Sequence, residues 1–205
     1  MDLASAPALL PFTPSVRREQ SDILLGVAVT LFASRGFHAV TTRDITRAAG
    51  VSPGTLYVYY PSKQELLFEI VRRSHLQSLD LMQEAASKPG TPAERLRRLV
   101  IAQVKFNAER REYAHVGNFE LGNLTDQNRH TIMIIRRETE DLMRRTIENG
   151  VQIGELSVPD VALATTAALS LAIDVSRWFM PERRSAEELA NVYADLVLQM
   201  LGGHP

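Results

Sequence analysis

The feature that most constrains the fold is a pair of short helical segments on either side of a glycine, within residues 41–63. The first segment follows Thr41, whose hydroxyl can cap the free amides of a helix start. It ends before Gly50, which can adopt the left-handed conformation of a sharp turn. The second segment begins at Ser52 and Pro53, and proline at a first helical position loses no hydrogen bond. Two short helices joined in this way are typical of a helix-turn-helix.

The rest of the chain also has helical periodicity. Apolar residues recur at spacings of three and four, and no segment alternates between apolar and polar residues as a half-buried strand does. The sequence therefore predicts an all-α fold of about nine helices. The predicted organisation is a flexible tail (residues 1–16), a helix-turn-helix domain (17–70) and a larger helical domain (71–205). The predicted helices span residues 17–34, 42–49, 53–59, 63–86, 92–111, 113–121, 126–149, 158–179 and 186–201.

Composition excludes several classes of protein. The 205 residues include no cysteine, which excludes disulfides and thiolate metal sites and fits a cytoplasmic location. No apolar run approaches the ~20 residues of a membrane span. The chain lacks a glycine-rich phosphate loop, a nucleophile elbow and an HExxH sequence, so we expect neither an enzyme nor a cofactor or metal site.

Charge gives weaker guidance. The formal net charge is −1, but residues 1–75 hold eight Lys or Arg against six Asp or Glu, a net of +2. This asymmetry has the correct sign for DNA at the N-terminal end. Because it is small, we expect DNA affinity to depend on hydroxyls, helix N-termini and symmetry more than on a dense basic patch.

The second short helix has one apolar and one polar face. Leu56 and Tyr60 lie on the apolar face, and Tyr57 and Tyr59 on the other. Gly54 at its start would let the backbone approach a base edge or phosphate closely. Hydroxyl groups can bond phosphates, and tyrosine edges can contact thymine methyls. This pattern predicts a DNA-recognition helix.

The run TTRDITRAAGVSPGTLYVYYPSKQELL, with the preceding ILLGVAVTLFASRGFHAVT, closely resembles the TetR family of transcriptional regulators. The resemblance covers residues 20–70. It implies a dimeric repressor that binds a palindromic double-stranded operator and releases it on binding a small molecule. Positions 59 and 60 are often His and Phe in the family, whereas both are Tyr here. The resemblance assigns DNA contacts to Thr42, Arg43, Ser52, Pro53, Gly54, Thr55, Tyr57, Tyr59 and Lys63.

The last two helices carry small and apolar residues that would suit a four-helix dimer interface. Periodicity alone does not distinguish such an interface from intramolecular core, and the family resemblance favours the homodimer. The predicted interface residues are Ala164, Ala168, Leu171, Val175, Val192 and Leu196.

We expect an effector pocket among the fourth to eighth helices. The segments VGNFEL and SRWFMP loosely resemble the family branch that senses acyl-CoA thioesters or bulky apolar acids. Each candidate could equally be ordinary core, and two alternative functions stay open: an architectural DNA-binding protein without a ligand, and a helical enzyme with an accessory helix-turn-helix. The candidate ligand contacts are Phe106, Tyr113, Val116, Phe119, Glu120, Asn123, Ile135 and Trp178.

Overall fold

A computed structural model describes residues 14–203, which form nine α-helices, one short 3₁₀ turn at Leu121–Asn123 and no strand. The all-α prediction is therefore confirmed for this part of the chain. No helix within it is long and apolar enough to cross a membrane. The helices are α1 (Pro14–Arg35), α2 (Thr42–Ala48), α3 (Thr55–Tyr59), α4 (Lys63–Ser87), α5 (Pro92–Glu109), α6 (Arg111–Phe119), α7 (Asp126–Gln152), α8 (Val161–Trp178) and α9 (Ala186–Met200).

Capping residues explain why most helix starts were predictable. Thr41, Thr91 and Ser185 each accept a hydrogen bond from the amide three residues later, and the acidic side chain there accepts one in return. Four starts differ from the prediction by two or three residues. Helix α1 begins at Pro14 rather than at position 17, and α6 begins at Arg111 rather than at position 113. Helix α3 begins at Thr55 rather than at position 53. Helix α8 begins after the Asp160 cap rather than at position 158.

The end of α7 also differs from the prediction, which placed it at Gly150. The helix continues through Gly150 to Gln152, and the chain turns at Gly154, whose φ is +79°. Gly150 serves packing instead, because a Cβ there would lie 2.5 Å from Cδ1 of Leu156.

The predicted tail lies mostly outside the described residues, which begin at position 14. Its last positions, 14–16, form the start of α1 rather than part of a tail. Residues 1–13 carry no structural description.

Two hydrophobic cores share α4. The first contains residues of α1 to α4, joined by Val116 and Ile132 from the larger domain. The second is formed by α4, α5, α7, α8 and α9 around residues such as Met143. Each large apolar side chain buried in these cores contributes about 1.5–3 kcal/mol. Because α4 runs unbroken past the predicted boundary at residue 70, a shift of this helix affects both cores.

Two predicted interface residues belong to the second core. Ala168 and Val175 are completely buried within the single chain. Their side chains cannot meet a partner subunit, and this corrects the sequence prediction. Leu171, Val192 and Leu196 are instead 42%, 41% and 53% exposed.

Candidate DNA-binding and effector sites

The helix-turn-helix is held from its inner side. Ile45 of α2 and Leu56 of α3 are fully buried, and Gly50 makes the turn with a φ of +68°. This packing turns the opposite side of α3 outward, where Tyr57 is 56% and Val58 is 64% exposed. Val58 was not among the predicted contacts, although its position next to Tyr57 on a five-residue helix could have indicated its exposure.

Tyr57 connects the outer faces of the two short helices. Its hydroxyl lies 3.3 Å from the Thr42 hydroxyl at the start of α2. The structure thus brings together two of the predicted DNA contacts. Both hydroxyls retain further bonding capacity for a phosphate.

The neighbouring tyrosines have structural partners. The Tyr59 hydroxyl donates to Oε1 of Gln20 at 2.8 Å, and the Tyr60 hydroxyl lies 2.8 Å from that of Ser21. Burial raises the pKa of Tyr60. These bonds hold α3 against α1. Tyr59, a predicted DNA contact, therefore has a half-buried ring and a hydroxyl that already donates to a protein acceptor.

Lys63 has a structural role that the sequence did not predict. Its ammonium donates to the carbonyls of Phe37 and Val40 at 2.8 and 2.7 Å, and lies 4.0 Å from the centre of the Phe37 ring. Burial lowers the pKa of this lysine. Lys63 therefore clamps the loop between α1 and α2, and only one of its three N–H donors is left for the predicted phosphate contact.

The remaining predicted contacts surround α3. Ser52 bonds the Thr55 hydroxyl at 2.8 Å, while Pro53 and Gly54 are exposed. Arg43 is exposed and forms no ion pair with any residue in 14–203. Arg47 of α2, which the sequence analysis did not select, is likewise exposed. The outer face consequently combines hydroxyls, a tyrosine ring and two guanidinium groups.

A cavity of about 200 Å³ lies among α4 to α8, the region where the sequence placed a pocket. Its floor is formed by the buried Ser78 and Gln103 and the half-buried His75 and Asn118, which lie on α4, α5 and α6, and its mouth opens between exposed positions of α7 and α8. Three apolar side chains lie among mainly polar ones. The lining residues are His75, Ser78, Gln103, Asn118, Met133, Arg136, Arg137, Thr139, Glu140, Thr166, Leu169, Ser170 and Ile173.

None of the eight predicted ligand contacts lines this cavity. Val116 and Ile135 are buried in the first core, and Phe119 is exposed beside His115 and Arg177. The others line separate surface grooves or lie at the junction between the domains, where contact with an effector stays a prediction. Phe106, Tyr113 and Trp178 line the grooves, and Glu120 and Asn123 lie at the junction.

The floor contains a chain of hydrogen bonds. Ser78 donates to Oε1 of Gln103 at 2.7 Å, and Asn118 donates to Oδ1 of Asn107 at 3.1 Å. Asn107 in turn donates to the backbone carbonyl of Gln103 at 2.8 Å. The chain joins α4, α5 and α6, because each helix contributes at least one member.

Two basic residues of the cavity lining, His75 and Arg136, differ in charge. His75 is half-buried, and its desolvation together with the nearby Arg136 lowers its pKa to about 4. It is therefore neutral near pH 7, and its Nε2 lies 3.1 Å from the Gly117 carbonyl. Arg136 remains cationic although burial lowers its pKa. It has no hydrogen-bonded or ion-paired acceptor within residues 14–203.

Comparison with known proteins decides the family. Residues 24–70 match the model for bacterial regulatory proteins of the tetR family, and residues 89–201 match the tetracyclin repressor-like C-terminal domain. The chain belongs to the TetR family. It is thus a DNA-binding transcriptional regulator and not an enzyme.

Three known proteins illustrate the similarity. The repressor KstR2 of Mycolicibacterium smegmatis is 28% identical over 93% of this chain and 94% of its own. A tetR-family regulatory protein from Rhodococcus RHA1 is 34% identical with a TM-score of 0.86, over 91% of this chain and 98% of that one. AibR, solved with isovaleryl coenzyme A and operator DNA, shares the fold at 19% identity with a TM-score of 0.80, over 90% of this chain and 99% of its own.

In this TetR-family chain, α6 joins the cavity to the DNA-binding domain. Asn118 of α6 lines the cavity. Glu112 at the opposite end of the helix accepts a hydrogen bond from Thr30 of α1 at 2.8 Å. Glu120, directly after α6, accepts one from the Phe37 amide at 3.3 Å. A displacement of α6 would therefore reach both α1 and the loop that Lys63 clamps.

Proposed function

We propose that this regulator is a cytoplasmic repressor that binds a palindromic operator as a homodimer. It releases the operator when a small organic acid or its acyl-CoA thioester enters the cavity among α4 to α8. The observation that carries the proposal is the position of the cavity. Its floor is formed in part by α4 and α6, the helices that contact the DNA-binding domain.

The charges at the mouth support an acidic effector. Arg136 and Arg137 lie on α7 at this edge, and a carboxylate or phosphate would give the Arg136 guanidinium the acceptor it lacks. Leu169, Ile173 and Met133 supply apolar contact for a short acyl group. AibR adds the observation that a protein of this fold binds an acyl-CoA.

Release follows from unequal affinity for two conformations. A ligand shifts an equilibrium only if it binds the released state better than the DNA-bound state. The cavity of about 200 Å³ is smaller than the ~300–1,000 Å³ of usual ligand pockets. An acyl thioester is therefore expected to displace α6 or α7 on entry, which would move Glu112 and Glu120 and their contacts with α1 and its loop.

The homodimer is supported by an exposed apolar face on α8 and α9. Leu163, Leu171, Val192, Leu196 and Met200 on these helices are each at least 41% exposed. A protein whose recognition helix binds one half of a palindromic operator gains affinity from two-fold symmetry, because the two recognition helices of a dimer then bind successive turns of the major groove.

The experiment is a titration of the operator complex, followed by fluorescence anisotropy, with isovaleryl-CoA and with coenzyme A alone. We expect isovaleryl-CoA to weaken operator binding at least tenfold and coenzyme A to have little effect. Ser170→Trp, which fills the mouth, should bind the operator normally but respond poorly. If Ser170→Trp responds as the wild type does, the effector site lies elsewhere. If no acyl-CoA changes operator affinity, the proposed effector class is wrong.

A further inference from the structure

The polarity of the cavity floor is unusual for a pocket that receives an acyl chain. Ser78 and Gln103 are only 6% and 5% exposed, and they are the two buried residues of the cavity lining, so they form its inner end. A saturated chain that reached this end would remove water from both side chains and return no hydrogen bond. Such a loss costs about 1–3 kcal/mol per group.

Gln103 has a hydrogen-bonding atom without a protein partner. Its Oε1 accepts from Ser78, but its Nε2 has no acceptor within residues 14–203. In that part of the chain, the only side-chain polar atom that is sealed from solvent without a hydrogen bond is Nε of Arg95. Nε2 of Gln103 is therefore not sealed, and the adjoining space is the cavity.

His75 supplies the complementary group. Its Nε2 must carry the proton, because the atom 3.1 Å away is the Gly117 carbonyl oxygen, which can only accept. In the neutral ring, Nδ1 is then an acceptor, and it has no protein donor within the described chain. The cavity wall thus offers one unused donor, on Gln103, and one unused acceptor, on His75.

We propose that the cavity selects a short acyl group that bears a hydroxyl. This hydroxyl would accept from the Gln103 amide and donate to the His75 ring, while the acidic or thioester end of the effector stays at the mouth. A hydroxyl both donates and accepts, so it suits this pair better than a methyl, which does neither. A carboxylate suits the floor less well, because the two guanidinium groups of the cavity lining, on Arg136 and Arg137, lie on α7 rather than among the floor residues. This inference rests on the proposed function and names the effector class of the same site.

The test uses pairs of thioesters that differ only by a hydroxyl in place of a methyl. One pair is racemic 3-hydroxybutanoyl-CoA with isovaleryl-CoA, and the other is 4-hydroxybutanoyl-CoA with pentanoyl-CoA. Binding is measured by calorimetry on the full-length dimer, and the same pairs are repeated as free acids to establish whether the acid or the thioester is recognised. We expect the hydroxylated member of at least one pair to bind tenfold or more tightly than its carbon counterpart.

Substitution of Gln103 tests whether the preference for a hydroxyl arises at the cavity floor. Gln103→Met keeps an unbranched side chain of similar length but has no donor, and the preference should fall below about twofold. Gln83→Met makes the same change on the exposed side of α4 and should leave it intact. Thermal unfolding and operator binding of each variant verify that it is folded.

Three results would contradict the proposal. If carbon counterparts bind equally or more tightly in both pairs, yet still release the operator, the hydroxyl selection is wrong and the proposed function stands. A preference that persists in folded Gln103→Met places recognition away from the floor. If no acid or thioester binds, both the hydroxyl selection and the effector class are wrong.

Discussion

Tyr57 is the residue whose environment most clearly suits a DNA contact. It lies on the exposed side of α3, and its hydroxyl is near Thr42 on α2. The seven positions between 53 and 59 leave room for only one inward face, which is why the sequence could distinguish Tyr57 from the buried Tyr60. The role of Lys63 could not be predicted from the sequence. Its partners are backbone carbonyls 23 and 26 residues away, and every residue has a carbonyl, so no sequence pattern indicates which ones a lysine will bond.

Replacing Tyr57 tests the DNA-facing surface. Tyr57→Ala should weaken operator binding about tenfold, or 1.4 kcal/mol, and leave the unfolding temperature nearly unchanged because the ring is exposed. Tyr57→Phe separates the ring from the hydroxyl. Anisotropy with a labelled operator measures both variants, and wild-type affinity in Tyr57→Ala would remove this residue from the interface.

Replacing Lys63 tests the clamp. Lys63→Met should lower the free energy of unfolding by about 1–3 kcal/mol, because two charge-assisted bonds to loop carbonyls are lost. Lys88→Met, at an exposed position after α4, is the matched control. Chemical denaturation measures both. If Lys63→Met is as stable as its control but reduces the salt dependence of operator binding, the lysine acts through a phosphate instead.

His75 predicts a dependence of stability on pH. Its pKa is about 4 in the folded chain, against 6.5 for an ordinary histidine. Below pH 6.5 this histidine binds a proton in the unfolded chain but not in the folded chain, so the free energy of unfolding decreases as pH falls from 6.5 towards 4. The loss assigned to this residue is about 3 kcal/mol.

Denaturation at pH 7 and pH 4 of wild type and His75→Gln measures that contribution. The variant should lose about 3 kcal/mol less than wild type over this interval. His130→Gln, on the exposed side of α7, should follow the wild type. Equal pH dependence in all three proteins would show that His75 is accessible to protons.

At the scale of elements, α6 is the connection between cavity and DNA-binding domain. Gly117 allows it to lie close to α4, since a Cβ at this position would be 2.5 Å from Oγ of Ser74. The sequence predicted α6 within two residues of its observed bounds. It gave no indication of this close approach, because a glycine inside a short helix is equally consistent with a weak helix end.

Gly117→Ala should push α6 away from α4, cost about 1–3 kcal/mol of stability and change operator affinity as well. Adding Ser74→Gly removes the clashing side chain and should recover part of the loss. Gly122→Ala is the control, since no atom lies within 4 Å of its added Cβ. If Gly117→Ala changes neither stability nor operator affinity, α6 is not tightly held against α4.

At the scale of the whole molecule, the all-α class and the order of the helices followed from caps, glycines and apolar periodicity. The cavity lining did not, because its residues come from five helices and depend on how each helix is rotated about its own axis. Helix α8 illustrates the difficulty: its apolar residues cover both the buried side, with Ala168, and the exposed side, with Leu171. Periodicity alone could not assign either side to a partner.

The exposed side of α8 and α9 predicts the assembly. Leu171→Glu or Leu196→Glu should yield folded monomers in sedimentation experiments, because a charge would be buried without a partner in the dimer. Leu81→Glu, at a similarly exposed position on α4, should remain dimeric. Dimers that persist in both α8 and α9 variants would place the interface on another surface.

The central claim is that two copies of this chain recognise a symmetric DNA sequence through α3. Selection of bound sequences from a random DNA pool by the full-length protein, followed by footprinting of the enriched site, tests it most directly. The account predicts a palindrome with two protected half-sites about one helical turn apart, or a multiple of it. Binding without sequence enrichment and with a steep salt dependence would contradict it, and would indicate an architectural DNA-binding protein.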